Sequence, residues 1–248
     1  MHQFFVDASQ ISGNTIRIIG DDVNHIRNVL RIKPGEEFNI YENGSNIEYR
    51  CEIASFEEDE VMCSVRFKKE SDVELTSRIY LFQGLPKADK MELIIQKAVE
   101  LGAYEIVPVA MSRSVVKLDE SKSDKKVARW NLIAEAAAKQ SKRAFIPTVH
   151  SVMNYKDAVE YAKTLDINIM PYELCDSSTM NETRNIFENI KPGQSVGIFI
   201  GPEGGFSDEE AKYAVDEGFH SVTLGRRILR TETAGFTVLS WLVYLLEK

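Results

Sequence analysis

The sequence is poor in the residues that bind metals or build disulfides. Three cysteines (Cys51, Cys63 and Cys175) and four histidines are scattered over 248 residues. No two cysteines have the two-residue spacing of zinc or redox motifs, which excludes a disulfide framework and gives no metal site. Cys175 has no neighbouring base to activate it, so it reads as a packing or loop thiol rather than a nucleophile. No stretch reaches the roughly 18 apolar residues of a membrane span, and MHQFFVDASQ lacks the basic start and apolar run of a secretory signal. The chain is therefore expected to be cytoplasmic, with no membrane partner. Excess positive charge is also absent. A formal net charge of −8 excludes a surface coated in cations for nucleic acid, so any RNA contact must come from local patches. Two common phosphate loops are missing as well, GxxxxGK[ST] and a GxGxxG after an early strand.

What is present is core-forming material, 44% hydrophobic and 9% aromatic, enough for one large domain or two smaller ones. The first 70 or so residues hold short segments (QFFVD, NTIRIIG, EEFNIYENG, IEYRCEIASF, EVMCSVRFK) broken by Pro34-Gly35 and Asn43-Gly44. They predict a small β-barrel or sandwich, with Asn43-Gly44 at a tight hairpin because both residues tolerate positive φ. The acidic run EEDE at 57–60 reads as a solvated turn. From about Arg78 apolar runs alternate with helix-length segments, beginning RIYLFQGLP and KADKMELIIQKAVELGA and ending HSVTLG and TAGFTVLSWLVYLLEK. Such alternation predicts an α/β fold, a parallel sheet flanked by helices. VELTS, at 73–77, reads as a linker between residues 1–72 and residues 73–248.

Within the second part, IFIGPEGGFSDEE (198–210) places Gly201, Pro202, Gly204 and Gly205 between an apolar strand and a helix start. Ser207 with Glu210 three residues on forms a capping box, and the helix should end near Gly218. The loop thus sits at a strand's carboxyl end, where open α/β sheets bind ligands against bare backbone. A tight turn in need of flexible dihedrals is the competing explanation. A second unusual turn follows in VTLGRRILRTETAGFTVL (222–239), where apolar Ile228 and Leu229 lie among Arg226, Arg227 and Arg230. Together the two turns point to a flat apolar ligand face with polar ends.

GPEGG at 201–205 followed by LGRRILRTETA at 224–234 resembles the SPOUT (trefoil-knotted) methyltransferases, most closely the RsmE family, which methylates N3 of a uridine in the 16S ribosomal RNA of the small subunit. The resemblance extends over nearly the whole chain, through HIRNVLR (25–31), PKADKMELIIQKAVELGA (86–103), Arg113-Ser114-Val115, and Gln140-Ser141 with Arg143. It departs where the family carries a Glu-Gln-Ser-Gly-Arg run and this chain has Lys139-Gln140-Ser141-Lys142-Arg143. The resemblance implies a SPOUT-type parallel sheet with a C-terminal trefoil knot, preceded by a PUA-like RNA-binding barrel. It also implies S-adenosylmethionine held by three loops, which here would be Tyr172 and Glu173; Ile200, Gly201, Pro202, Glu203, Gly204 and Gly205; and Leu224, Gly225, Ile228, Leu229, Arg230, Thr231, Thr233 and Ala234. The loop glycines would then leave room for the cofactor where a β-carbon would intrude.

Methylation at uridine N3 needs the imide proton removed and negative charge on the uracil oxygens stabilised. Arg230 is the candidate donor, and Glu203 or Glu232 the candidate base. Loop bracing by Glu203 and Arg230, and helix-start electrostatics for Glu232, are the structural alternatives. His25, Arg27, Arg31, Arg113, Gln140 and Arg143 are candidate RNA contacts, although a short amphipathic helix burying Ile26, Val29 and Leu30 explains HIRNVLR as well. Residues 1–70 carry eight basic and thirteen acidic side chains, so RNA contact there would need an already shaped ribosomal particle. The last helix, with Phe236, Val238, Leu239, Trp241, Leu242, Val243, Leu245 and Leu246, is apolar nearly all round and must be covered. The resemblance implies a homodimer packed through it. Methylation of another RNA base or a ribose hydroxyl, and a non-catalytic role in ribosome assembly, remain as alternatives.

Overall fold

A computed structural model describes residues 2–116, 120–172 and 179–247, and of 120–122 the backbone only. Glu173 and Cys175 lie outside the described residues. Two compact units emerge, one running to Glu74 and including Ala138–Ile146, the other holding Leu75–Ala137 and the chain from Pro147 onward.

The first unit is built on β1 (Gln3–Val6), β2 (Ile11–Ser12), β3 (Thr15–Ile19), β4 (Glu37–Glu42), β5 (Ile47–Phe56) and β6 (Glu60–Glu70), with a short helix α1 (Asp21–Asn24). The strands form one sheet in the order β1-β4-β5-β6-β3-β2. All neighbours are antiparallel except β1 beside β4. Alternate residues point inward, as a period of two requires, so Phe4, Val6, Ile16, Ile18, Phe38, Ile40, Ile53 and Val61 make the core. Cys51 and Cys63 are enclosed there, and burial pushes both thiols up to about 12, which leaves them protonated and unreactive. Asn43-Gly44 does turn β4 into β5, with Gly44 at φ 83°.

HIRNVLR differs from the expected amphipathic helix. Residues His25–Leu30 form a π-helix, whose wider turn moves side chains off a 3.6-residue face. Ile26 is fully buried, while Val29 is 62% exposed. Arg31 ends the segment in the left-handed region at φ 54°.

The second unit contains β7 (Arg78–Gly84), α2 (Lys90–Glu100), β8 (Glu105–Ala110), α3 (Glu120–Ser141, its last residues in the first unit), β9 (Thr148–Val149), β10 (Met153–Asn154), α4 (Tyr155–Ala162), β11 (Ile167–Pro171), α5 (Met180–Glu188), β12 (Ser195–Ile200), α6 (Asp208–Asp216), β13 (His220–Val222) and α7 (Thr231–Leu246). Its sheet runs β10-β8-β7-β12-β11-β13, with β9 also beside β8, and every pairing is parallel. The central strands β7 and β12 are buried on both faces, which is why they read as unbroken apolar runs. The Ser207–Glu210 capping box forms as expected and starts α6, and Gly218 follows that helix at φ 88°. Within one chain α7 is covered on one side only. Gly235, Val238, Leu239, Leu242 and Leu246 are buried, but Tyr244 is 86% and Leu245 40% exposed. No helix among the described residues is long and apolar enough to cross a membrane.

Candidate active site

Because β11, β12 and β13 are parallel neighbours, the loops after them leave the sheet on the same edge. The end of β11 and the described loops after β12 and β13 line a cavity of about 440 Å³, a volume suited to a small organic ligand. Its walls are Pro171 and Tyr172 after β11, Ile200 to Phe206 around the end of β12, and Val222 to Gly225 with Arg227 to Thr231 and Ala234 after β13. Every described residue of the sequence-derived cofactor set lines it except Thr233. That residue is exposed on the first turn of α7, where its carbonyl accepts the Thr237 hydroxyl.

The protein itself constrains two of the loop glycines. A β-carbon on Gly201 would press within 3.0–3.2 Å of the Gly205 and Phe206 backbone, and one on Gly204 would meet Arg113 Cβ at 3.0 Å. Close packing of the loop on itself and on Arg113 is thus enough to require glycine at both positions. Gly205 (φ 67°) and Gly225 (φ 104°) are left-handed positions, and a β-carbon on either would meet no protein atom within 4 Å. At Gly225, on the cavity wall, the open space belongs to the cavity. Apolar Ile200, Leu224, Ile228 and Leu229 beside exposed main chain suit a planar ring with a polar tail, so these residues fit a nucleoside-type cofactor.

Two residues that the sequence did not single out organise the mouth. The Lys90 ammonium lies 3.1 Å from Glu203 Oε1 and 3.4 Å from Glu232 Oε2. The Glu203 hydrogen bond leads in holding that ammonium above its ordinary pKa. Glu203 also accepts the Lys87 amide at 3.1 and 3.2 Å. Burial pushes the Glu203 carboxyl up, but its own amide, the Lys90 ammonium and the Lys87 amide outweigh this and leave it below the usual range. Glu232 Oε2 is enclosed and, beyond the Lys90 approach, has no hydrogen-bond partner. Gln83 is the second such residue, wholly buried and donating to Thr231 Oγ1 at 2.8 Å. A polar residue ending an otherwise apolar strand was its only signal. Arg230 caps the start of α7 and is exposed at the cavity wall.

The expected RNA contacts scatter. Arg113 joins the cavity, donating to Gly204 O at 3.2 Å. His25, Arg31 and Gln140 are exposed. Arg27 is committed within its own unit: it donates to Glu58 O and Glu60 O at 3.1 and 3.2 Å and lies over the Phe56 ring. Arg143 is a correction. It is 4% exposed, pairs with Glu74 at 2.6 Å and covers the Phe145 ring at 4.6 Å, so it braces the first unit instead of meeting RNA. Lys139 likewise pairs with Asp22 at 3.0 Å.

A family described as the RNA methyltransferase domain matches residues 73–243, and one described as the RNA methyltransferase PUA domain matches residues 18–65. The ribosomal RNA small subunit methyltransferase E of Bacillus subtilis is 37% identical, covering 100% of this chain and 98% of that protein. The chain belongs to the ribosomal RNA small subunit methyltransferase E family. A second relative of that name, from Mesomycoplasma hyopneumoniae, is 33% identical over 97% of this chain and 98% of its own. The solved structure of the family member from Neisseria gonorrhoeae, bound to S-adenosyl methionine, is 29% identical and superposes with a TM-score of 0.82 over 99% of this chain and 98% of that one. In this family member the cavity is thus a feature of a fold shared over the whole chain.

Proposed function

We propose that this family member transfers a methyl group from S-adenosylmethionine to N3 of one uridine in the 16S ribosomal RNA of the small subunit, in the cytoplasm. The observation that carries the reading is the cavity at the carboxyl ends of β11, β12 and β13, in a chain 37% identical along its length to a methyltransferase of that name. When bound, the cofactor supplies an electrophilic methyl group on a sulfonium. Ile200, Leu224, Ile228 and Leu229 would hold its ring, and the glycine-loop main chain its polar groups. Loops arranged in this way are read here as the trefoil knot of the SPOUT fold.

The residues' own chemistry assigns the remaining roles. Arg230, exposed at the wall, would offer donors to the uracil oxygens or a neighbouring phosphate, where they stabilise developing negative charge. Glu203 has its charge held by Lys87 and Lys90 and is a poor proton acceptor, so it braces the glycine loop. Glu232 shares the Lys90 ammonium at 3.4 Å but accepts no backbone amide as Glu203 does, and is the better candidate to receive the imide proton. The first unit would seat the RNA through exposed His25 and Arg31, and the second would perform the transfer. Exposed Tyr244 and Leu245 on α7 support a homodimer packed through that helix. Light scattering at micromolar concentration checks this, and a monomer refutes it.

The decisive experiment incubates purified protein with labelled S-adenosylmethionine and small subunits from a strain lacking the activity, then maps the label by mass spectrometry. Label on uridine N3 at one site is expected. Label on a ribose or another base would redirect the assignment, and no label with bound cofactor would favour an assembly factor.

A further inference from the structure

Beneath the glycine loop runs a buried chain of hydrogen bonds that the steps above leave unused. Gln83, next to last in β7, is wholly enclosed. Its Nε2 donates to Gly84 O at 3.0 Å and to Thr231 Oγ1 at 2.8 Å. The Thr231 hydroxyl, on a residue 5% exposed, in turn donates to Gly201 O at 2.6 Å. The direction of each link is fixed. A carbonyl only accepts, so the Thr231 proton goes to Gly201 and the Thr231 oxygen receives the Gln83 amide.

The amide's own oxygen, Gln83 Oε1, is buried with no hydrogen-bond partner. An unsatisfied amide oxygen in a dry interior opposes folding, and an apolar side chain of the same length would avoid that cost. For packing alone glutamine is the worse choice here. Its return is what its two donated bonds hold in place, namely Thr231, where α7 begins after the 224–230 loop, and through it Gly201, where the glycine loop begins. Both residues line the cavity.

We propose that Gln83 and Thr231 are positioning residues for the methyl-donor cavity. Their relay ties the Gly201 carbonyl to the first turn of α7, so that two loops from different strands present one binding wall. The inference rests on the cofactor reading above and adds to it the device that sets the cavity's shape.

The test uses the full chain as Gln83→Met, Thr231→Val and Thr231→Ser. Three readings are taken: calorimetric affinity for S-adenosylmethionine, the thermal midpoint, and amide hydrogen exchange at 201–205. Gln83→Met and Thr231→Val should each weaken binding about tenfold, the equivalent of one hydrogen bond, with Thr231→Ser within about twofold of the unmodified protein. Exchange at 201–205 should quicken in the first two variants, while Gln83→Met melts at or above the unmodified protein. Unchanged affinity and exchange in Gln83→Met and Thr231→Val would overturn the relay alone, as would affinity that falls only in step with thermal stability. If the unmodified protein itself did not bind, the cofactor reading would fall and the relay's role with it.

Discussion

Arg143→Ala separates two roles for one side chain. If Arg143 touched RNA, its loss would weaken ribosome binding and leave the fold intact. The structure instead puts it at 4% exposure, with two nitrogens on the Glu74 carboxylate at 2.6–3.2 Å and its guanidinium over Phe145. Glu74 also accepts the Ala144 amide at 2.8 Å. Truncation leaves the Glu74 carboxylate with the Ala144 amide and removes the packing on the Phe145 ring. Breaking a buried pair from one side costs about 3–5 kcal/mol. For a chain of this size that corresponds to roughly 6–20 °C in thermal midpoint. The assay is urea and thermal unfolding followed by far-UV circular dichroism, together with the Arg143→Ala, Glu74→Ala double variant. The double variant should lose markedly less than the sum of the singles, because neither charge is then stranded. A loss below about 1 kcal/mol in Arg143→Ala, as for an exposed pair, would refute the assignment.

Four further outcomes are expected. Gly84→Ala should cost about 1–3 kcal/mol in urea unfolding and weaken cofactor binding, because its β-carbon would meet Pro202 Cδ at 2.6 Å and Pro202 N at 2.7 Å; unchanged stability would contradict that packing. Lys142→Gly should raise stability by up to about 1 kcal/mol, since Lys142 sits at φ 61° where the resembled family run carries glycine, and a loss would contradict it. Burial pushes the Glu105 carboxyl up, but hydrogen bonds from His150 and Tyr161 at 2.7 Å each prevail, leaving it below its ordinary value. A depressed carboxyl adds stability above its unfolded pKa and loses it as pH falls through the folded one, so Glu105→Gln should flatten the acid side of the stability profile below about pH 4.5; an unchanged acid side would contradict it. Glu232→Gln should lower turnover at saturating cofactor by about 100-fold or more, whereas Glu203→Gln should mainly raise the cofactor requirement; near-normal turnover in Glu232→Gln would remove it as proton acceptor.

The sheets were legible because their signals are local. Period-two alternation marked β3 to β6, and unbroken apolar runs marked β7 and β12 as strands buried on both faces. The two-residue strands Thr148–Val149 and Met153–Asn154 carry no pattern long enough to read. The π-helix at His25–Leu30 also escaped, since it obeys a different period and exposes Val29, which a 3.6-residue wheel buries. Arg143 was misplaced for a related reason. Its partner Glu74 is 69 residues away, and nothing in a basic cluster reveals a distant carboxylate.

The glycine loop is held by the protein around it. Gly201, Gly204 and Gly205 read as one device making room for a ligand, yet two are small because the loop folds onto itself and onto Arg113. A loop that must close over its own backbone cannot shift freely, so what sets its shape lies underneath it. Pro202 abuts Gly84 and Gly201 O receives Thr231, both leading to the last two residues of β7. The site is therefore specified as much by Gln83-Gly84, which look like the unremarkable end of a strand, as by the glycines that draw the eye. Lys90 plays the same part at the rim, where one ammonium between Glu203 and Glu232 lets two carboxylates from different loops share a mouth that would otherwise be forced apart.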